Sequence, residues 1–306
     1  HSAYDIAKSL DQGKSIHISI LDLTKALDKV PHKRLLGKLD YYGVRGNLLS
    51  WTQSFLTGRI QKVVCEGNTS LPVEVLSGVP QGTVLGPLLF LTYINDLPEK
   101  LKCQTRMYAD DCLLYTPVAN ERNMDNLQDD LSSLETWQDT WKMSFNPSKC
   151  SVMVISKERT PPLRDYKFCG QVLERSSSQP YLGVQLDSKL SWGDHVDKTI
   201  NKSQKTLGFL RRNLWFCSTE VKLTAYKSLV RPILEYATCA WDPYKVGQVK
   251  KLEGVQRKAA RFCLGKYNRE CSVTEMLTEL KLENLASRRE QNRLSMMYKI
   301  QENIVD

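Results

Sequence analysis

Thr105-Arg106-Met107-Tyr108-Ala109-Asp110-Asp111-Cys112-Leu113-Leu114-Tyr115 sets two adjacent carboxylates between two short strand-like runs. Such runs around a tight turn form an antiparallel hairpin, and the turn is a place where polar ligands stand at the end of an apolar sheet. Neighbouring aspartates repel each other and lose hydration in a half-apolar setting unless a divalent cation compensates them, so the pair points to a hard-metal site. Asp is also a common turn residue, and on its own the pair reads better as a plain hairpin turn.

A second stretch shifts that balance. Ile16-His17-Ile18-Ser19-Ile20 alternates like a half-buried strand, and Leu21-Asp22-Leu23 follows it into Thr24-Lys25-Ala26-Leu27-Asp28-Lys29-Val30-Pro31-His32. Asp22 therefore ends a strand, and it meets Asp110 and Asp111 if the two strands are neighbours in one sheet. Three carboxylates from two distant stretches are the protein's share of a two-metal phosphoryl-transfer site. A third stretch, Ser77 to Phe90, carries Gly78, Pro80, Gly82, Gly86 and Pro87 and precedes an apolar helix. Glycine lets the backbone approach a ligand closely, and Gln81 supplies an amide beside it. A helix-entry loop is the simpler reading of that stretch alone.

The order and wording of these motifs resemble the reverse transcriptases of non-LTR (LINE) retrotransposons, the jockey-like group in particular. Asp22 to His32 is similar to polymerase motif A, Ser77 to Pro87 to motif B, and Tyr108 to Asp111 to motif C. Asn146-Pro147-Ser148-Lys149-Cys150 resembles motif D, and Tyr181-Leu182-Gly183-Val184 with Leu190-Ser191-Trp192 resembles motif E. Leu229 to Ala237 with Trp241-Asp242-Pro243 resembles the thumb-side region. One tetrapeptide arises by chance, but six motifs in the family's order do not.

The resemblance implies an α+β fold: a polymerase palm, an antiparallel sheet with packed helices, over residues 1–188, then an all-helical, basic, thumb-like domain over residues 189–306. It implies an RNA-directed DNA polymerase working on an RNA template, a DNA primer and deoxynucleoside triphosphates. Asp22, Asp110 and Asp111 would hold two Mg2+ ions, with Mn2+ as an alternative. Lys149 would stand by the leaving pyrophosphate, Leu27, Gln81, Gly82 and Tyr108 by the nucleotide, and Tyr181, Leu182 and Gly183 in the primer grip. A solvated loop lysine and a plain strand end are the simpler readings of Lys149 and of the Tyr181 turn. Two departures qualify the pattern. Leu27 stands where this group usually has Phe, which puts sugar discrimination in doubt. Nothing before Ile16 resembles the fingers and no endonuclease segment is visible, so the expectation is the later part of a longer polyprotein. A second reading is a catalytically idle remnant, or a host-derived protein, that only binds nucleic acid.

Charge places the polyanion grip. Residues 1–200 hold 23 Lys and Arg against 23 Asp and Glu, while residues 201–306 hold 20 against 11, so the whole net charge of +9 lies in the C-terminal third. Lys202, Lys205, Arg211 and Arg212 fall on one predicted helix, and Lys250, Lys251, Arg257, Lys258 and Arg261 on another. Nine cysteines with no Cys-x-x-Cys argue against a zinc site, and an odd count fits a disulfide framework poorly. The longest apolar stretch, Val84 to Ile94, is too short to span a bilayer. No secretory signal is visible. The expectation is an intracellular protein of the nucleus or cytoplasm, with no membrane partner.

Local patterns give the elements. Helices are predicted over residues 32–42 and 47–56, the latter with Trp51 and Phe55 inward. A hairpin is predicted around Gly67-Asn68, and a helix between Asn120 and Met143 with Leu127, Leu131, Leu134, Trp137 and Trp141 on its core stripe. Strands are predicted over residues 150–155 and 181–186. Helices alone follow, over residues 193–213, 219–236 with Pro232 kinking the chain, 248–264, and 272–298 in pieces.

Overall fold

The computed structural model describes residues 2–268 and 271–305 and divides into two compact units, residues 1–177 and 178–306. In the first unit, α1 (Ser2–Asp11) leads to β1 (Ser15–Asp22), α2 (Ala26–Lys29), α3 (His32–Tyr41) and α4 (Gly46–Leu56). Four short strands follow, β2 (Ile60–Gln61), β3 (Val64–Cys65), β4 (Asn68–Thr69) and β5 (Val73–Glu74), then α5 (Leu85–Ile94) and a 3-10 turn at Leu97–Lys100. The hairpin of β6 (Gln104–Tyr108) and β7 (Asp111–Val118) precedes α6 (Glu121–Trp141), β8 (Ser151–Ile155), β9 (Lys167–Phe168), β10 (Gln171–Val172) and β11 (Glu174–Arg175).

The main sheet runs β11-β8-β1-β7-β6. β1 lies at its centre, antiparallel to β7 and to β8, with Ile18 opposite Tyr115 on one side and Met153 on the other. Both faces of β1 are covered. Ile16 and Ile18 are buried, and so are His17 and Ser19, which the alternation predicts to face solvent. His17 is accommodated because both ring nitrogens have partners, the Tyr166 hydroxyl at 2.7 Å and the Pro162 carbonyl at 3.0 Å. Among the described residues α1 packs on β1 with Ile6 and Leu10 buried. On α6 the predicted stripe is the packed one: Leu127, Leu131 and Leu134 are fully buried and Trp137 and Trp141 half-buried. Asn120 and Asn123 cap its start reciprocally.

α4 corrects one expectation. Its buried residues are Thr52 and Leu56, while Trp51 is 52% exposed and lies flat on Phe55 at 5.5 Å. Phe55 packs partly buried against the core as expected, while Trp51 stacks on its outer side and stays in solvent, so only one ring of the pair marks the inward face. The Gly67 hairpin is present, with Val64 opposite Thr69, Cys65 opposite Asn68, and Glu66 and Gly67 both at positive φ, the form two-residue hairpin turns favour.

The second unit begins with the hairpin β12 (Ser178–Tyr181) and β13 (Val184–Asp187), then α7 (Gly193–Asn213), α8 (Thr219–Ala225), a π-helical turn at Tyr226–Val230 and α9 (Arg231–Glu235). α10 (Val246–Leu264), α11 (Val273–Glu279) and α12 (Leu285–Gln301) complete it. The units divide earlier than residue 188, so this hairpin goes with the helices, and residues 181–186 form its turn and one arm rather than a single strand. Among the described residues, those from 189 onward are helical wherever they are regular. Pro232 has no N–H to continue the α ladder, and the π turn just before it is how the chain absorbs that loss. Val196, Leu207, Tyr226, Trp241, Leu252 and Val255 form this unit's separate core. All nine cysteines are free thiols.

Candidate active site

Sheet register sets two of the predicted carboxylates opposite one another. Asp22, last residue of β1, is the partner of Asp111, first residue of β7. Tyr108 pairs with Asp111 on the other side, so Ala109 and Asp110 alone form the hairpin turn. Ala109 has φ 51, a left-handed conformation costing a side-chain-bearing residue about 1–2 kcal/mol. Such strain collects where a turn must aim its neighbours, here the two aspartates. Asp110 and Tyr108 are exposed, while Asp22 and Asp111 are half-buried. Burial, then the charge of Asp110, then that of Asp22 hold the Asp111 carboxyl above the ordinary carboxylate range.

The predicted lysine arrives by a separate route. Beyond Asp22 the chain pairs with the segment after α6: Thr24 N–H donates to the Ser144 carbonyl and Asn146 N–H to the Asp22 carbonyl, both at 2.8 Å. The turn Asn146-Pro147-Ser148-Lys149 then folds back, with Lys149 N–H on the Asn146 carbonyl at 3.0 Å. Its ammonium lies 3.4 Å from Asp22 Oδ2. The lysine is 65% exposed, so the pair contributes about 0–1 kcal/mol and is easily given up. The Asp22 N–H also points at the buried Cys150 thiol, 3.5 Å away, and burial pushes that thiol up to about 11.

The Gly/Pro loop is tied to the tip of α2. Val79 N–H donates to the Leu27 carbonyl and Gly78 N–H to that of Val30, both at 2.8 Å. A Cβ on Gly78 would lie 2.6 Å from the Asp28 carbonyl oxygen and one on Gly86 2.2 Å from that of Pro80, so neither position accepts a side chain without movement. The Gln81 amide donates to the Asp28 carboxylate at 2.7 Å. Asp28 is none of the residues to which the motif resemblance gives a role. Nothing in a separation of 53 residues signals that pairing. Leu27 is half-buried against the core, and Gly82 is exposed at φ 74 with open space around it. A cavity of about 750 Å3 opens beside Gln81, lined by Lys25, Asp28, Arg59, Gln61, Glu74 and Ser77 among others. Another, of about 690 Å3 between α3, the Leu97–Lys100 turn and α6, holds none of the predicted site residues.

Tyr181, Leu182 and Gly183 lie in the second unit at the β12–β13 turn, with Leu182 at φ 46 and Gly183 at φ 77. The Tyr236 hydroxyl donates to the Leu182 carbonyl at 3.1 Å, and its ring fills the space a Gly183 side chain would need.

The donor set is chemically that of a magnesium site, hard carboxylate oxygens left short of positive charge. It is not a closed cage: among the described residues no group of three or more His, Cys, Asp or Glu side chains stands ready to hold a metal ion. Mg2+ suits such an arrangement, since it takes one or two carboxylates and completes its shell with water and substrate phosphates.

Residues 1–186 match the family model of the reverse transcriptase (RNA-dependent DNA polymerase). The chain belongs to that family. The chain is similar to the probable RNA-directed DNA polymerase from transposon BS of Drosophila melanogaster, 29% identical over 275 residues, covering 84% of this chain and 30% of the relative. It is also similar to the probable polymerase from transposon X-element, 28% identical over 85% of this chain and 29% of the relative, from the same organism. A third relative is the polymerase from mobile element jockey, also of Drosophila melanogaster, 27% identical over 81% of this chain and 28% of the relative. The LINE-type, jockey-like resemblance of the motifs is thus shown, and the chain spans under a third of these relatives' length. Among solved structures, apo telomerase from Candida tropicalis is 14% identical over 99% of this chain and 53% of its own, with a TM-score of 0.47.

Proposed function

We propose that this chain is the nucleotidyl-transfer core of an RNA-directed DNA polymerase, joining a deoxynucleotide to a primer 3′-hydroxyl on an RNA template. The observation that carries the reading is the pairing of Asp22 with Asp111 across β1 and β7, with Asp110 at the adjoining turn. Asp22, Asp110 and Asp111 would hold two Mg2+ or Mn2+ ions, which supply acidity at the attacking hydroxyl and charge for the leaving pyrophosphate. Lys149 adds a mobile ammonium at the same sheet end, where it steadies or protonates the leaving group. Leu27 and the loop carrying Gln81 and Gly82 form the nucleotide side, with Asp28 holding the Gln81 amide in place. Tyr108 flanks the carboxylates, and Tyr181, Leu182 and Gly183, braced by Tyr236, present the primer-grip turn.

Primer extension on an RNA template, with and without Mg2+, tests the reading when paired with Asp110→Asn. The substitution leaves the core untouched, because Asp110 is exposed. It should abolish extension and the Mg2+-induced rise in melting temperature together. Equal stabilisation of wild type and Asp110→Asn by Mg2+ would remove the metal site from the proposal.

A further inference from the structure

The C-terminal end of α7 forms a groove with the end of α10, of about 590 Å3, lined by Gly208, Arg211, Arg212, Trp215, Lys222, Phe262, Gly265 and Tyr267. Its walls are cationic and aromatic at once. The Arg211 guanidinium lies 5.5 Å from the centre of the Tyr267 ring, and the Lys222 ammonium 5.6 Å from that of Phe262. Two of the lining residues carry no side chain. Gly208 sits inside α7, where glycine costs a helix about 1 kcal/mol relative to alanine, and a Cβ there would lie 3.6 Å from the Arg212 guanidinium. Gly265 closes α10 at φ 67.

Arginines in a last helical turn offset the helix dipole and need no other purpose. That does not account for the aromatic rings. Trp215 is 72% exposed and Tyr267 54%, large rings left in water in a groove that holds three cations, and Phe216, 70% exposed, stands edge-on to Trp215 at 5.9 Å. Among the described residues, Arg211, Arg212 and Lys222 have no carboxylate partner. Free cations beside flat, open rings complement one chemistry: an unpaired base, which stacks, with its phosphates, which neutralise.

We infer that this groove is a binding site for single-stranded nucleic acid, one unpaired base stacking on Trp215 or Tyr267 while Arg211, Arg212 and Lys222 take the flanking phosphates. Stacking serves any base and the phosphates any sugar, so the site accepts RNA and DNA strands alike and reads little sequence. It needs neither the carboxylates nor a primer.

Anisotropy of labelled 12-nucleotide oligouridine and oligothymidine strands, titrated with the full chain, tests it. Trp215→Ala should weaken binding of both strands by roughly 5- to 100-fold, the range expected when one base is deprived of its stacking ring, and Trp215→Phe should restore most of it. Arg211→Gln with Arg212→Gln should lower the slope of log affinity against log salt by about one for each phosphate no longer neutralised. Trp215 is exposed, so these changes leave the core intact, and far-ultraviolet circular dichroism confirms the fold. Binding to a blunt duplex of the same length should respond to the arginine variants and not to Trp215→Ala. Unchanged oligonucleotide affinity in Trp215→Ala overturns the site, as does loss in that variant of anionic-vesicle binding or of self-association while oligonucleotide binding persists. Because the readout is binding, the groove stands or falls apart from primer extension.

Discussion

The Lys149 ammonium lies beside Asp22, where the proposed metal ion would also offset the carboxylate's charge. Replacing the lysine with Met removes a positive charge from an already anionic sheet end. Lys149→Met should therefore bind Mg2+ several-fold more tightly, about 1 kcal/mol at solvent-screened distances, while extension slows by roughly 100-fold or more for want of a proton donor. Isothermal titration with Mg2+ and single-turnover extension check the two halves. No change in either would return Lys149 to a solvated loop residue. Leu27 carries a second prediction. Leu lacks the flat ring that would lie under a nucleotide sugar, so Leu27→Phe should favour deoxyribo- over ribonucleotides by about 10- to 200-fold. An unchanged ratio of kcat/KM for matched nucleotides would show that Leu27 does not face the sugar.

The loop between β5 and α5 shows what glycine does at the scale of an element. Gly78 and Gly82 share a positive φ, but a Cβ on Gly78 meets the Asp28 backbone and one on Gly82 meets nothing within 4 Å. Gly82→Ala should cost about 1–2 kcal/mol of conformational strain alone. Gly78→Ala should cost more and pull Gln81 off Asp28, measurable as a lower urea midpoint with a raised KM for nucleotide. Equal costs would mean that the close approach is not maintained in solution. Elements of this kind divide into those legible from the residues and those not. The 193–213 helix was readable end to end from its spacing, and the Asp22 and Asp111 strands from their alternation and apolar runs. Trp51 misled because a ring stacked on Phe55 has the same spacing as a ring turned inward. Gln81 with Asp28 and Tyr236 with Leu182 are long-range contacts, invisible to local periodicity. The hairpin at Leu182-Gly183 reads as a strand end because the first of its two left-handed residues is a leucine, not a turn former.

At the scale of the whole molecule, each unit carries a buried neutral histidine. Desolvation lowers the pKa of His17 in the first unit and holds His195 in the second, beside Trp241, at about 4 against an ordinary 6.5. Gln185 N–H donates to the His195 ring at 3.1 Å, so the folded state wants that nitrogen bare. The unfolded chain binds the proton more readily, so this stability is complete above pH 6.5 and is lost as pH falls toward 4. The loss for His195 is about 3 kcal/mol. Urea midpoints between pH 7 and pH 4.5 should fall less steeply in His195→Gln than in wild type, and parallel curves would show that the ring titrates normally. The pairing of β1 with β7 has a last consequence, for the gene rather than the protein. Side chains alternate with a period of two along these strands, so a single-codon insertion or deletion inside residues 15–22 or 111–118 puts the strand's two parts on opposite faces, and either the aspartate pair or the remaining β1–β7 pairing loses its register. The same event near the exposed Glu66-Gly67 turn merely resizes a loop. Two eight-codon windows are thus far more sensitive to changes of length than that turn is.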